Sequence, residues 1–364
     1  MKNLKLITLM LCIILATACK KEKNTTKIVA IATGFEYSLV LRADNTLWAC
    51  GNNSAGQLGD GTNTHKNQLI KITDNVKAIS AKSSHTLLLK KDNTLWACGS
   101  NAYGQLGDST TTNRNTLVKI ADNVSAINAG IFHSLVLKTD NTLWACGDND
   151  YGQLGDGSNT DRNQLKKITD NVKEISAGGY YSLVLKMDNT LWACGSNAGG
   201  ELGDGTITDK NTLVKIADNV STMSAGTSHT LVLKNDHTLW ACGSNFFGQL
   251  GNGSYADTNR LTKITENVKA MNAGYDYTLV LKNDNSLWVC GYNSSGQLGD
   301  GTTIEKVILV KIANNVSTMS AVGLHCLVLK NDNSLFASGN NYYGQLGDRT
   351  TTDKYTLTPM YIPW

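Results

Sequence analysis

Proline is nearly missing from this chain: two residues in 364, Pro359 and Pro363. Glycine, by contrast, is abundant at 34 residues, and the apolar share of 41% is ordinary. That combination excludes a disordered or proline-rich chain and suits a folded protein of many short strands and tight turns. Net charge is scarce too. Lys and Arg number 33 against 30 Asp and Glu, a formal +3. Removing a leader that carries Lys2 and Lys5 leaves about +1, so no basic field exists to hold a polyanion, and nucleic acid is excluded as a partner. Helical periodicity is absent throughout. There is no Cys-x-x-Cys, no Gly-x-Ser-x-Gly, no phosphate loop and no His-Glu-x-x-His.

A long apolar run is lacking at the start as well. Lys2 and Lys5 precede an apolar stretch from Leu6 to Leu15, about ten residues and too few to span a bilayer. Ala16-Thr17-Ala18-Cys19 follows. A basic start, a short apolar core and small residues before a cut describe a secretory signal peptide. The Cys after the small residues resembles a bacterial lipobox, with Ala16 where Leu is commoner. That resemblance implies a signal peptide over 1–18, lipidation of Cys19 and a polar tether over 19–27. Acyl chains contribute roughly 0.8 kcal/mol per buried CH₂, enough in combination for a stable anchor. The expected place is the bacterial cell envelope, at the outer membrane or cell surface.

What the sequence does have is a repeat. Trp48, Trp96, Trp144, Trp192, Trp240 and Trp288 are spaced by 48 residues, and Phe336 holds the seventh slot. Gly56-Gln57-Leu58-Gly59 recurs at the same step to Gly344-Gln345-Leu346-Gly347, with one change, at Glu201. No repeat gains or loses a residue, and a fixed period of this size signals a propeller or solenoid. Within one repeat the apolar runs Tyr37 to Arg42 and Thr46 to Cys50 flank Asp44-Asn45, a hairpin signal. Asp74-Asn75 repeats that signal between Gln68–Thr73 and Val76–Ser80. Four antiparallel strands in two hairpins make one propeller blade. The prediction is therefore an all-β, seven-bladed β-propeller over 28–364. Ile28 to Gly34 matches the strand after the second Asp-Asn turn, and Thr356 to Met360 matches the strand before it. The ring is thus expected to close by pairing of the N- and C-terminal strands, leaving no open end.

The phrase His133-Ser-Leu-Val-Leu-Lys138, then Asp140-Asn-Thr-Leu-Trp144, then Gly147-x-Asn149-x-x-Gly152-Gln-Leu-Gly155 resembles the regulator of chromosome condensation repeat family. The resemblance covers all seven repeats and implies a seven-bladed propeller. It departs from the family in carrying Cys50, Cys98, Cys146, Cys194, Cys242 and Cys290, then Ser338, where an aromatic is usual. Members of the family include exchange factors for a small GTPase, a plant ultraviolet receptor and a bacterial inhibitor of β-lactamases. Exchange activity depends in the family on an inserted element, which no repeat here carries.

Candidate chemistry is sparse. The six cysteines of one slot, with Cys326 in a Ser or Thr position, read as buried free thiols rather than disulfides or metal ligands, because equivalent side chains on successive blades point the same way around the ring, Cys50 facing the back of the next blade and Cys98 pointing away from it. His85, His133, His229 and His325 share a slot with Tyr37, Tyr181 and Tyr277. A group that Tyr replaces so freely reads as structural, its polar tip bonded to backbone. Asp156-Gly157-Ser158-Asn159-Thr160-Asp161 lacks the alternating carboxylates and closing Glu of an EF-hand and reads as a turn. No repeat holds an odd cluster of His, Asp and Glu. The chain is expected to be no enzyme, with neither cofactor nor metal.

The informative residues are those that vary. Counting strands puts both Asp-Asn turns on one face and the loops at 34–36, 52–55 and beyond on the other. The first window of that second face holds Phe35, Phe132, Tyr180 and Tyr275; the second holds Tyr103, Tyr151, Phe246, Phe247, Tyr292, Tyr342 and Tyr343. These are 11 of the 18 Phe and Tyr residues in the chain, which is far beyond the share of positions the windows occupy. Aromatics on the loops of a rigid scaffold supply large contact area at low entropic cost. The expected function is a membrane-anchored, exported and monomeric scaffold that binds a protein or a glycan through this face. A structural envelope role is the alternative, with a lyase or hydrolase and an exchange factor behind it.

Overall fold

The computed structural model describes residues 26–363; the leader, Cys19 and most of the tether lie outside the described residues. Within them the chain forms seven four-stranded antiparallel sheets, each built from four consecutive strands. In the first blade these are β1 (Ile28–Thr33), β2 (Tyr37–Arg42), β3 (Leu47–Gly51) and β4 (Lys66–Thr73). The other blades repeat the set over 76–121, 124–169, 172–217, 220–265, 268–313 and 316–359. This is the seven-bladed all-β propeller that the repeat predicted.

The first Asp-Asn turn is a hairpin with a clear local cause. Asn45 sits at φ 64°, a conformation that Asn adopts more readily than most residues. The Asp44 carboxylate accepts from the Thr46 N–H at 3.1 Å and its hydroxyl at 2.7 Å. The Thr46 Oγ1 in turn accepts from the Trp48 indole at 3.0 Å. One short phrase thereby sets the turn and the side chain that follows it, and it does so in blade after blade.

The second Asp-Asn turn is not a hairpin, and here the structure corrects the reading. β4 forms the outer rim of its sheet, whereas β5 (Val76–Ala81) is the innermost strand of the next. Asp74-Asn75 therefore crosses from one blade to its neighbour, and the strands on either side share no ladder. Ring closure is corrected for the same reason. β1 pairs only with β2, and the last strand, β28 (Lys354–Pro359), pairs only with β27 (Leu335–Gly339). The termini meet face to face instead. Ile28, Val40 and Cys50 pack on Leu327, Leu329, Leu335, Leu346 and Met360 in one buried cluster. The Ile28 N–H donates to Asn333 Oδ1 at 2.9 Å, and the Thr33 N–H to Ser320 Oγ at 3.0 Å. The latter repeats the Ala129 N–H bond to Ser80 Oγ at 2.9 Å between blades two and three. The seventh interface is thus made as the other six are, by packing of complete sheets.

Each gap between blades holds its own core. Leu39, Leu41, Leu47, Ala49 and Leu58 of the first blade meet Val76 and Leu88 of the second, and each fully buried Leu or Val contributes roughly 1.5–3 kcal/mol. The Gly-Gln-Leu-Gly loop reinforces the contact. Gly56, at φ 83°, lies so close to the next blade that a Cβ there would stand 2.4 Å from the Asn115 Cα. Only glycine fits.

Candidate functional site: the aromatic and acidic face

A ring of buried side chains supports the loop face from below. Tyr37, His85, His133, Tyr181, His229, Tyr277 and His325 are all at 0% exposure. Each reaches into the next blade. The Tyr37, Tyr181 and Tyr277 hydroxyls donate to the carbonyls of His85, His229 and His325 at 2.6, 2.5 and 2.6 Å. The histidines differ from the expectation of a direct backbone bond. His85 Nε2 lies 3.0 Å from Ser134 Oγ, and Ser134 itself donates to the Gln105 carbonyl at 2.7 Å. Because that hydroxyl hydrogen is already committed, Ser134 must accept from His85, which fixes the neutral Nε2–H tautomer. The pattern runs on through His133 and Ser182, His229 and Thr278, and His325 and Ser38. Burial lowers His85 to about 4 and His133, His229 and His325 to about 3, His133 being lowered further by Lys82 and His85. These imidazoles are uncharged struts. Glycine makes room for them: a Cβ on Gly130 would stand 2.5 Å from the His133 ring.

Above this ring the structure brings together all eleven aromatics predicted for the face. Tyr103 and Phe132 lie 5.0 Å apart between ring centroids, Phe132 and Tyr180 5.7 Å, and Tyr180 and Tyr151 5.2 Å. Four rings thus run continuously across blades two to four. Phe246 meets Phe247 at 4.9 Å, and Phe247 meets Tyr292 at 4.5 Å. Tyr342 and Tyr343 stand 4.8 Å apart. Phe35 reaches past the seventh blade to Tyr275, at 5.7 Å. It crosses there because the seventh blade offers only Gly323, where a Cβ would collide with the Phe35 backbone. Seven of the eleven are half-buried among their neighbours. The other four stand out: Tyr103 at 38% exposure, Tyr151 at 42%, Tyr342 at 70% and Phe246 at 72%.

Two features of this face escaped the sequence reading. The first is Lys82. The equivalent slot holds Gly34, Gly130, Gly178, Gly226 and Gly274, then Val322, so the lysine is the one charged residue in a position that is otherwise glycine or valine. Its side chain crosses the central channel from blade two and donates to the Ala177, Ala225 and Gly226 carbonyls at 2.7, 2.5 and 3.3 Å. Burial lowers its amine to about 7, while three carbonyl oxygens receive the ammonium form. Below it lies a polar cavity of about 210 Å³ lined by Ser80, Asn128, Ser176, Ser224 and Asn272 of the inner strands. The second is a group of carboxylates. Asp148, Asp150 and Asp161 bring one oxygen each within 4.8 Å of one another. Asp148 is 2% exposed, and burial, then Asp161 and Asp150, raise its carboxyl above the usual range. Its charge also helps burial to raise the neighbouring Tyr180 phenol. The sequence signal was the run Asp148-Asn149-Asp150, which occurs in no other repeat.

The remaining candidates are structural. Asp156 accepts from the Ser158 N–H at 3.0 Å and pairs with Arg162 at 2.7 Å, so this stretch is a turn tied by an ion pair. Cys50, Cys98, Cys146, Cys194, Cys242, Cys290 and Cys326 are buried free thiols. Cys98 Sγ lies 3.5 Å from the Gln57 carbonyl and Cys50 Sγ 3.5 Å from that of Gln345. The thiols thus point to the preceding blade, opposite to the sense expected, though still all in one rotational direction. Burial pushes Cys98 and Cys146 up to about 12.

A closed ring of seven sheets with one variable, aromatic face is a propeller of the loop-presenting kind. The RCC1-like domain model matches residues 12–217, and the regulator of chromosome condensation (RCC1) repeat model matches 220–249, 268–297 and 316–345. The chain belongs to the RCC1 repeat family. No curated protein matches it in sequence. Among solved structures it is similar to human WBSCR16, at 20% identity and a TM-score of 0.80, over 87% of this chain and 94% of that one. It is similar to a chain of yeast RCC1 (Prp20) bound to Kap60, at 17% identity and a TM-score of 0.80, over 94% and 87%. Prp20p from Saccharomyces cerevisiae, studied for its binding to Gsp1p and histones, matches at 20% identity and a TM-score of 0.72, over 81% and 80%. At these identities the likeness is one of fold.

Proposed function

We propose that this protein is a membrane-anchored binding scaffold of the bacterial envelope that holds a partner on its aromatic face. The observation that carries this reading is the gathering of eleven Phe and Tyr residues, each in ring contact with another, on one face of a rigid ring. Rings so fixed lose little entropy when a partner covers them. The yeast structures of similar fold are of a protein with protein partners, Kap60 in one and Gsp1p and histones in the other, which favours a protein here too.

The geometry of the N-terminus suits an anchor. β1 begins on the Asp-Asn side, where the Ala43 N–H donates to the Lys27 carbonyl at 2.7 Å. A tether over 19–27 extends at most about 30 Å. With Cys19 lipidated, the Asp-Asn face is turned to the membrane and the aromatic face away from it. Cys19→Ala is expected to release the protein from membranes; retained membrane association removes the anchor. For the binding face, affinity capture of envelope and secreted proteins by the full chain is compared with capture by Phe246→Ala/Phe247→Ala. Loss of the captured protein at unchanged melting temperature supports the reading, and equal capture moves the interface elsewhere.

A further inference from the structure

The loop face of the propeller differs in charge from the rest of the described chain. Residues 34–36 and 52–66 and their equivalents every 48 residues carry sixteen Asp and Glu against eight Lys and Arg, a net −8. The rest of 26–363 carries thirteen against twenty, a net +7. The small total charge hides this separation.

Among the described residues, each of the eight cations on the loop face already has a partner. Six pair within their own loops: Lys66 with Asp60, Arg114 with Asp108, Arg162 with Asp156, Lys210 with Asp204, Lys306 with Asp300 and Lys354 with Asp348. Lys82 is buried in the channel, and Arg349 lies over the Tyr361 ring at 3.4 Å. Ten carboxylates of that face are left with no Lys or Arg partner among the described residues. Three of them, Asp148, Asp150 and Asp161, converge beside the run of four rings that includes Tyr151 and Tyr180.

We infer that the aromatic face recognises a basic protein segment, whose Lys or Arg side chains lie over the Tyr151 and Tyr180 rings with their charged ends at Asp148, Asp150 and Asp161. The inference rests on the reading of this face as the docking surface and names the chemistry of its partner. Aromatic faces carry negative charge density and attract ammonium and guanidinium groups within about 6 Å. Carboxylates at the edge of such rings add to that attraction, and the long apolar stems of Lys and Arg pack on the rings themselves. A polyanion or an acidic polysaccharide meets repulsion on the same face. A neutral glycan stacks on the rings and donates its hydroxyls to carboxylates, but it is not steered by their net charge and its binding does not weaken as salt rises. The net −8 also steers a basic partner toward this side before contact, an effect that salt weakens.

The substitutions that test the charges already occur in the ring. The Asp148 slot holds Asn52 and Asn340, the Asp150 slot holds Ser54 and Ser294, and the Asp161 slot holds Asn113. Asn113 Oδ1 accepts from the Asn101 N–H at 2.9 Å as Asp161 does from Asn149 at 2.8 Å, so the loop keeps its bond. A random twelve-residue peptide library is selected on the immobilised full chain. Enriched peptides are then measured against the wild type, against Asp148→Asn/Asp150→Ser/Asp161→Asn, and against Tyr151→Ala. Enrichment of peptides with net positive charge is expected, with affinity falling roughly tenfold or more in the triple variant and falling as salt rises. Enriched peptides that are neutral or acidic, or basic ones that bind the triple variant equally well, overturn the inference. No enrichment over a blank surface overturns it too. Binding lost in Tyr151→Ala yet kept in the triple variant leaves the docking face standing and removes the charge claim; binding kept in both removes both. Calcium is titrated alone as a control, and calcium binding that the triple variant abolishes reassigns the carboxylates to a metal.

Discussion

Four imidazoles buried between blades set an acid limit on this fold. In the folded state they stay neutral down to about 4 for His85 and about 3 for His133, His229 and His325. In the unfolded chain a histidine titrates near 6.5. Between those values the unfolded chain binds protons that the folded chain refuses, so stability falls as pH drops below about 6.5. Each histidine contributes up to about 1.4 kcal/mol per pH unit across that window. His133→Tyr substitutes the residue that three other blades already use. Its melting temperature is expected to fall less than that of the wild type between pH 7 and pH 4.5, and an equal fall would show that His133 is not among the groups responsible. At this scale the sequence spoke clearly about the ring, because Tyr37, Tyr181 and Tyr277 alternate with histidine in one slot. It spoke less clearly about Lys82. A lone lysine among glycines is visible as an exception, but only three-dimensional distances show that its amine ends on carbonyls two and three blades away.

The same dipeptide does two jobs at the scale of elements. Asp44-Asn45 closes a ladder between β2 and β3, whereas Asp74-Asn75 carries the chain from a rim strand to the innermost strand of the next sheet. Both hold Asn at positive φ, 64° and 62°. Local chemistry therefore specifies that the chain turns, and packing decides whether the flanking strands pair. That is why strand count, strand order along the chain and both faces could be read from the repeat while ring closure could not. The corrected closure makes a prediction of its own. Ile362-Pro363 occupies the slots of the Asp-Asn crossover, so replacing it with Asp-Asn and joining it to Ile28 completes the seventh crossover. A circular permutant opened at Asp122-Asn123 should then fold with the melting temperature of the parent to within a few degrees, because every sheet stays whole. Failure of that permutant to fold, with the joined but uncut ring still folding, would show that the sheets depend on one another's strands.

The whole molecule is a rigid ring with unlike sides. One side repeats its turns almost unchanged and carries the chain's entry point. The other varies from blade to blade, gathers the aromatics and holds the surplus carboxylates. The aromatic half of this contrast was visible in the sequence, since Phe and Tyr fall in two short windows of the period. The acidic half was masked by Lys and Arg elsewhere that bring the total close to zero, and became visible only once loops were assigned to faces. Covalent footprinting of Tyr, Asp and Glu side chains, with the full chain free and then bound to its captured protein, tests which side meets a partner. Protection is expected at Tyr103, Tyr151, Tyr342 and Asp150, with Asp92, Asp140 and Asp188 of the opposite turns labelled as in the free protein. Protection of those turns with Tyr151 and Tyr342 still fully labelled would contradict the account.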